Sequence, residues 1–507
     1  MPLNGSIKYA VVVLCGVALA FAFPEPAIGP LAWVALAPLL ALTAGAGARR
    51  GAGLGFAFGL AFFGSLLYWI SIIGYLGWAV LVLLQALFLA LLGLVWTRTN
   101  RLSAWPARIA AAATAWVAIE FLRSIVPVGG FTWGQLSQSQ TEFSWLLPAA
   151  ALGGGWLVAG IVVAVNAALA EVVVAFRSGA RRRGLAAAAA MVGLLLAPLG
   201  IPRNDATGEE VRVAIVQGNV PRNFEGSTYE KELAILASHQ HLTEELAGVS
   251  PDLVVWPESS VGLDLTTNDD SAGAVRAAAQ SVDAPMIVGG NLDVGEDRYK
   301  VMAFQIDPDG EIVDQYQKTH LVPFGEYVPA RGGLGWIPAL DQVPRDAVAS
   351  DQPVVFDVAG GRVAPVISFE GDFGSLVRKP IAEGGRLLVV ATNTSTWGDS
   401  WASAQHVAFS RVRAVENGVW VAHAALSGIS AFISPRGDIV DSTPLWVPAA
   451  LVHELRFAAD ITLYARFGDW FPLLSIAATV LALVAAGRLR TKQGLRGGER
   501  EAPGVTR

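Results

Sequence analysis

The chain has one cysteine in 507 residues, Cys15, and it lies inside an apolar stretch. That scarcity excludes a disulfide framework and a cysteine-based metal site. Charge is scarce as well: Asp, Glu, Lys and Arg make up 15% of the residues and leave a net charge of −6. With no basic stripe on the polar part of the chain, a nucleic-acid partner is excluded too. The histidines number only six. His239 and His241, two apart on a predicted helix, face different directions and make a poor metal pair. His320 and His406 read as structural. Internal repeats are lacking.

Hydrophobic residues are what the chain has in excess, at 53%, with a mean hydropathy of +0.48. That is well outside the soluble globular norm. The excess is local. Apolar stretches fall at about 7–23, 31–47, 52–73, 77–97, 106–124, 153–176, 184–200 and 468–486, whereas 203–465 has an ordinary soluble composition. A membrane span needs about 20 apolar residues, so the reading is eight spans, the second the weakest. Lys8 at the start of the first stretch also fits a signal peptide, but no clear cleavage site follows.

Basic residues set the orientation, because cytoplasmic loops carry the Lys/Arg excess. Alternate turns hold Arg49-Arg50; Arg98, Arg101 and Arg108; Arg177 with Arg181-Arg182-Arg183; and Arg488, Arg490, Lys492 and Arg496. The turns between them hold none except Arg123. The expected division is a seven-helix transmembrane bundle (1–202), an extracytoplasmic domain (203–465), a closing transmembrane helix (466–487) and a disordered cytoplasmic tail (488–507). The outer loop at 123–150, rich in Gly, Trp and Gln, reads either as an interfacial belt or as a lining between bilayer and site.

Within the polar part, strand-like runs fall at 211–219, 253–259, 285–291, 362–368, 387–393 and 419–427, with helical patterns at 229–247 and 403–417 and a hairpin at 429–440. Such alternation predicts a layered α/β domain. Three strand ends carry chemistry: VVWPES with Glu258, QKTHLVPFGEYVP with Lys318 and Glu326, and VAPVISFEGDF with Ser368 and Glu370. A nucleophile needs a base beside it and a cation or donor to receive the oxyanion, and these three ends supply those residue types. A serine hydroxyl is much less acidic than a thiol and normally needs a base arranged for it.

These motifs, with QGNV at 217–220, resemble the nitrilase (carbon–nitrogen hydrolase) superfamily. Together with the apolar stretches, FLRSIVPVGGFTW and YARFGDWFP, they are similar to the bacterial apolipoprotein N-acyltransferase family. The resemblance implies a multi-pass α-helical membrane domain of about eight transmembrane helices plus an α/β nitrilase-like α-β-β-α sandwich in the bacterial cytoplasmic membrane. It implies ping-pong acyl transfer from a membrane phospholipid to diacylglyceryl-modified apolipoproteins, with no metal or organic cofactor. By the same resemblance, Glu258 is the general base, Lys318 the oxyanion stabiliser and Glu326 a second carboxylate near the acyl site. Glu370 supports Lys318 or a backbone group. The family pattern Cys-Tyr-Glu stands here as Ser368-Phe369-Glu370. An introduced Cys-to-Ser change, a homologue without acyl transfer that binds lipid or lipoprotein, and a working serine enzyme all fit that departure. Phe369 and TNTSTWGD (392–399) favour natural divergence. A membrane-tethered amidase is a further reading.

Overall fold

The computed structural model of the protein describes residues 4–143, 145–334 and 338–498. Seven helices come first: α1 (Gly5–Ala20), α2 (Ala37–Thr43), α3 (Ala48–Leu66), α4 (Tyr75–Thr99), α5 (Trp105–Arg123), α6 (Ala150–Arg177) and α7 (Arg181–Leu196). Among the described residues, four helical stretches are long and apolar enough to cross a membrane: Tyr75–Thr99, Leu147–Arg177, Arg181–Gly200 and Trp470–Leu489. The other expected spans fall on α1, α2, α3 and α5, which are shorter or less apolar.

The second apolar stretch is broken for a visible reason. Pro30 precedes it and Pro38 interrupts it, leaving a 3-10 turn at Gly29–Trp33 ahead of the short α2. Asn166 of α6 satisfies the break: its amide oxygen accepts from Leu36 and Ala37 N–H at 3.0 Å each, and its amide nitrogen donates to Ala32 C=O at 2.8 Å. Irregular backbone among apolar helices persists only where protein groups pair it. Helices α3 and α4 pack closely through Gly51, Gly55 and Gly59, facing Gly93, Leu89 and Ala86. A Cβ at Gly55 would overlap the Leu89 carbonyl, the small-residue packing of apolar helices.

The polar part runs β1 (Glu210–Gln217), α8 (Thr228–Glu244), β2 (Leu253–Val255), α9 (Asp269–Val282), β3 (Met286–Val294), β4 (Arg298–Ile306), β5 (Ile312–Gln317), α10 (Arg331–Leu334), β6 (Asp346–Ala347), β7 (Phe356–Val358), β8 (Gly361–Ile367), α11 (Gly374–Ala382), β9 (Leu387–Thr392), α12 (Ala402–Asn417), β10 (Val421–Ala425), β11 (Ala431–Ile433), β12 (Ile439–Ser442), β13 (Ala449–Arg456) and α13 (Leu463–Phe467). One sheet has the order β13-β1-β2-β3-β4-β5 with β6 on β4; the other is β12-β11-β10-β9-β8-β7. Strands β1, β2 and β3 are parallel, as are β8, β9 and β10.

Side-chain alternation builds the layers. Val213, Ile215, Val255, Val363, Ile367 and Val389 point between the sheets. Ala214 and Val216 pack beneath α8 and α9, and Ala364 and Val366 beneath α11 and α12. The result is an α-β-β-α sandwich. The strand expected at 253–259 ends at Val255, because Pro257 cannot continue the ladder.

The chain closes with α14 (Trp470–Gly498), which runs past the expected end of the last span at 487. Residues 488–498, expected as disordered tail, are therefore helical, and the rest of that tail lies outside the described residues. Bundle and sandwich are joined by buried polar contacts. Helix α6 bends at Gly153 and Gly154, the latter at φ +71°. The freed Gly155 N–H donates to Glu416 of α12 at 2.6 Å, and Glu416 also pairs with Arg413 at 2.9 Å. The 123–150 loop is wedged between the two parts. Arg123 donates to the Phe131 and Trp133 carbonyls, Trp133 donates to Gln405, and Arg411 of α12 reaches the Thr141 carbonyl and Glu142. Arg123, the exception to the charge rule, is thus a buried loop anchor.

Candidate active site

The three strand ends singled out above converge at one end of the sandwich. Glu258 follows β2 by three residues and comes close to β3, where Gly289 leaves it room: a Cβ there would overlap the Pro257 carbonyl. Lys318 follows β5 directly, its N–H held by the Val301 carbonyl at 2.9 Å. Its ammonium donates to Glu258 Oε1 at 3.0 Å and to Glu326 Oε1 at 2.6 Å. Glu326 Oε2 accepts from Val322 N–H at 2.7 Å, which fixes the loop after Lys318.

The opposite sheet supplies the other half. Ser368 follows β8 and begins a 3-10 turn, Ser368–Asp372. Its φ of +50° is left-handed, a conformation costly for a residue with a Cβ and commonest where function requires it. The neighbouring parallel strand β9 ends at Thr392, whose hydroxyl donates to Ser368 Oγ at 3.1 Å. One residue on, Asn393 N–H donates to Glu258 Oε2 at 2.9 Å and ties the two sheets together. Among the described residues no hydrogen bond joins Ser368 Oγ to Glu258, Lys318 or His406.

Glu370 is wholly buried and fully occupied. Its Oε1 accepts from Thr319 N–H and Oγ1 at 2.7 Å each, His320 N–H at 3.1 Å and Tyr316 OH at 2.8 Å, and its Oε2 from Ile367 N–H at 2.8 Å. It bonds β8 to the segment that carries Lys318. His320, read as structural from sequence, packs against Phe369 and Phe373, with Gly129 of the bundle loop against its ring.

Burial raises the Glu258 carboxyl above its ordinary value; Lys318 opposes that rise and Glu326 adds to it. Burial alone would depress the Lys318 ammonium, but Glu258 and Glu326 outweigh it and hold the group above its usual value. The arrangement is a buried carboxyl raised above its ordinary value beside an ammonium held in its charged form. Such a pair suits acid–base exchange with a nucleophile and stabilisation of the oxyanion it generates.

Sequence reasoning gathered Glu258, Lys318, Glu326, Ser368 and Glu370, and the structure brings all five together. Thr392, Tyr316 and the Asn393 main chain were missed. Asp372, not singled out from sequence, and His406, read as structural, lie buried beside each other below Ser368. Only the position of TNTSTWGD after a strand hinted at Thr392.

Comparison with known proteins covers both parts of the chain. Residues 15–168 match the apolipoprotein N-acyltransferase N-terminal domain, and residues 212–459 match the carbon–nitrogen hydrolase family. An apolipoprotein N-acyltransferase of Geobacter metallireducens is 32% identical, covering 96% of each chain. One from Mycolicibacterium smegmatis is 33% identical across 93% of this chain and 84% of its own. Among solved structures, a mutant of the Nesterenkonia AN1 amidase from the nitrilase superfamily is similar at 20% identity and a TM-score of 0.39, over 53% of this chain and 94% of its own.

Proposed function

The chain belongs to the apolipoprotein N-acyltransferase family, and on that premise we propose that residue 368 is its acyl-carrying position in the N-acylation of lipoproteins. The observation that carries this reading is the Glu258–Lys318–Glu326 row beside the strained strand end at Ser368. The acyl donor is a membrane phospholipid and the acceptor the α-amino group of a diacylglyceryl-cysteine. In the first half-reaction the residue-368 side chain attacks the ester carbonyl and its proton passes to Glu258. Lys318 faces the oxyanion, and the departing lysophospholipid alcohol takes the proton back. In the second half the amine attacks the acyl-enzyme and gives a proton to Glu258, which passes it to the departing side chain of residue 368. Glu326 holds Lys318, and Glu370 holds the segment behind it.

The membrane arrangement follows from the same reading. Eight apolar segments span the bacterial cytoplasmic membrane, with the sandwich on the extracytoplasmic face and the C-terminus in the cytoplasm. Exposed Leu76, Val80, Leu83, Leu185, Val192, Leu473 and Leu481 on α4, α7 and α14 offer a lipid-facing surface. Acyl chains then reach the site laterally.

A specific observation favours a second reading, a catalytically silent homologue that binds lipid or lipoprotein. Ser368 Oγ receives a hydrogen from Thr392, and no base is bonded to its own proton among the described residues. The two readings part on Ser368→Cys, assayed with a phospholipid donor and a diacylglyceryl lipopeptide. Gain of N-acylation on that single change supports the acyltransferase reading. Lipopeptide binding without acylation supports the silent homologue.

A further inference from the structure

Beneath residue 368 lies a second cluster that the acyl-transfer roles leave unused. Asp372 ends the Ser368–Asp372 turn and is buried, and neither carboxyl oxygen has a hydrogen-bond partner among the described residues. Its Oδ1 lies 3.3 Å from Nε2 of His406 on α12, and His406 Nδ1 is also without a partner. The His406 ring is enclosed by Trp133 of the bundle loop, Trp397 and the edge of His423, whose Nδ1 is bonded to Ser410 Oγ at 2.8 Å. The Ser368 main chain is the one neighbour that favours a proton on the His406 ring.

An ionised carboxylate without donors is not sustained in such surroundings, and a buried imidazolium boxed by aromatic rings has no better support. Burial drives the Asp372 carboxyl well above its ordinary value, with Arg413 and Lys318 opposing. Burial takes His406 down to about 4, with Lys318 lowering it further. His423 is likewise driven down by burial and by His406. Arg413, Lys318 and His423 are the charged or titratable groups packed about the pair that these shifts involve.

We propose that Asp372 is a neutral carboxylic acid donating to His406 Nε2, and that this pair is the positioning unit holding the strained main chain of residue 368. The aromatic box ties that unit to the bundle through Trp133, so seating of the 123–150 loop and placement of residue 368 are linked. The inference rests on residue 368 being the acyl-carrying position, but its first test needs no turnover.

Infrared spectra of the full-length protein, with and without carboxyl-13C aspartate, should show a protonated-carboxyl stretch that persists above pH 7. That band should disappear in Asp372→Asn. Absence of the band, loss of the band through the ordinary aspartate range, or its survival in Asp372→Asn overturns the proposal. The second test uses Cys15→Ser/Ser368→Cys protein and follows alkylation of the single thiol against pH. Asp372→Asn, which keeps a donor, should leave the pH profile in place. Asp372→Leu and His406→Leu should slow alkylation roughly 10-fold to 100-fold, the cost of a misplaced reacting atom. If both leucine variants match the parent, or if Asn fails to rescue, residue 368 is held by something else. Failure of acyl transfer with both tests positive would count against the proposed function alone.

Discussion

Glu370 and Asp372 stand two residues apart on one turn, and both carboxyls are buried. Glu370 accepts five hydrogen bonds from two strand ends and a tyrosine. Asp372 accepts none and faces a histidine. The same contrast divides the whole site. On the side of Glu258, Lys318 and Glu326, every charge has a partner of opposite sign or a main-chain donor. On the side beneath residue 368, polar atoms are enclosed by aromatic rings and left to each other. Partnered carboxylates are fixtures that set geometry. An unpartnered one stays neutral, and it is there that a proton is held inside the protein.

Breaking the partnered side should have the largest effect. Lys318→Met leaves the buried Glu258 and the half-buried Glu326 without their shared cation. Removing one member of a buried ionic group costs about 3–5 kcal/mol. Urea unfolding in detergent should show that loss, and a Ser368→Cys/Lys318→Met double variant should give no acyl-enzyme by mass spectrometry. An unchanged unfolding midpoint would mean that the two carboxylates are not charged together.

Glu370→Gln tests the same side more gently. Glutamine keeps one acceptor oxygen but turns an NH2 toward the Ile367 N–H that Oε2 now accepts. Losing hydrogen bonds to a charged group and leaving a donor unpaired costs about 3 kcal/mol. The loss should appear as a lower unfolding midpoint with loosened hydrogen exchange at Thr319 and His320. Protection unchanged at those two amides would show that Glu370 does not hold the Lys318 segment.

Legibility in the sequence follows the same divide. Glu258, Lys318, Glu326, Ser368 and Glu370 all sit within residue strings that punctuate strand ends, so pattern and resemblance found them. The sandwich was legible for a similar reason, since β8 and β9 are short apolar runs bounded by turn residues. Strands β4 (RYKVMAFQI) and β13 (AALVHELR) were missed: β4 is buried on both faces beyond its charged start, and β13 is partly exposed on both, so neither shows an apolar alternation. Asp372 looked like one acid after a glycine. Its meaning depends on His406, more than thirty residues away in sequence, and on Trp133, which comes from the other part of the molecule. Enclosure by distant segments leaves no local signature. Arg123 was legible only as an anomaly until the loop carbonyls it holds were seen.

The smallest predicted effect sharpens the unpartnered side, and it lies in the pH dependence of stability. Folded, the pair holds one proton, on Asp372, with His406 neutral. Unfolded, aspartate titrates near about 3.9 and histidine near about 6.5, so between those values the chain also holds one proton on the two residues. Equal proton counts give no slope in that window. Below it the unfolded chain gains a proton and stability falls with falling pH; above it the unfolded chain loses one and stability falls with rising pH. Asp372→Leu leaves His406 alone, with a folded value near 4. A depressed histidine gives stability that is complete above about 6.5 and is lost as pH falls toward its folded value. The variant should therefore lose stability relative to the parent as pH drops below 6.5, by up to about 1.4 kcal/mol per pH unit. Unfolding of both proteins from pH 7 to 5 gives the difference directly, and contributions of His239 and Glu416 cancel in it. A flat difference would mean that His406 is not held neutral. A charged Asp372–His406 pair would hold the same single proton and give the same flat parent curve, so the infrared band is the measurement that tells the neutral pair from the charged one.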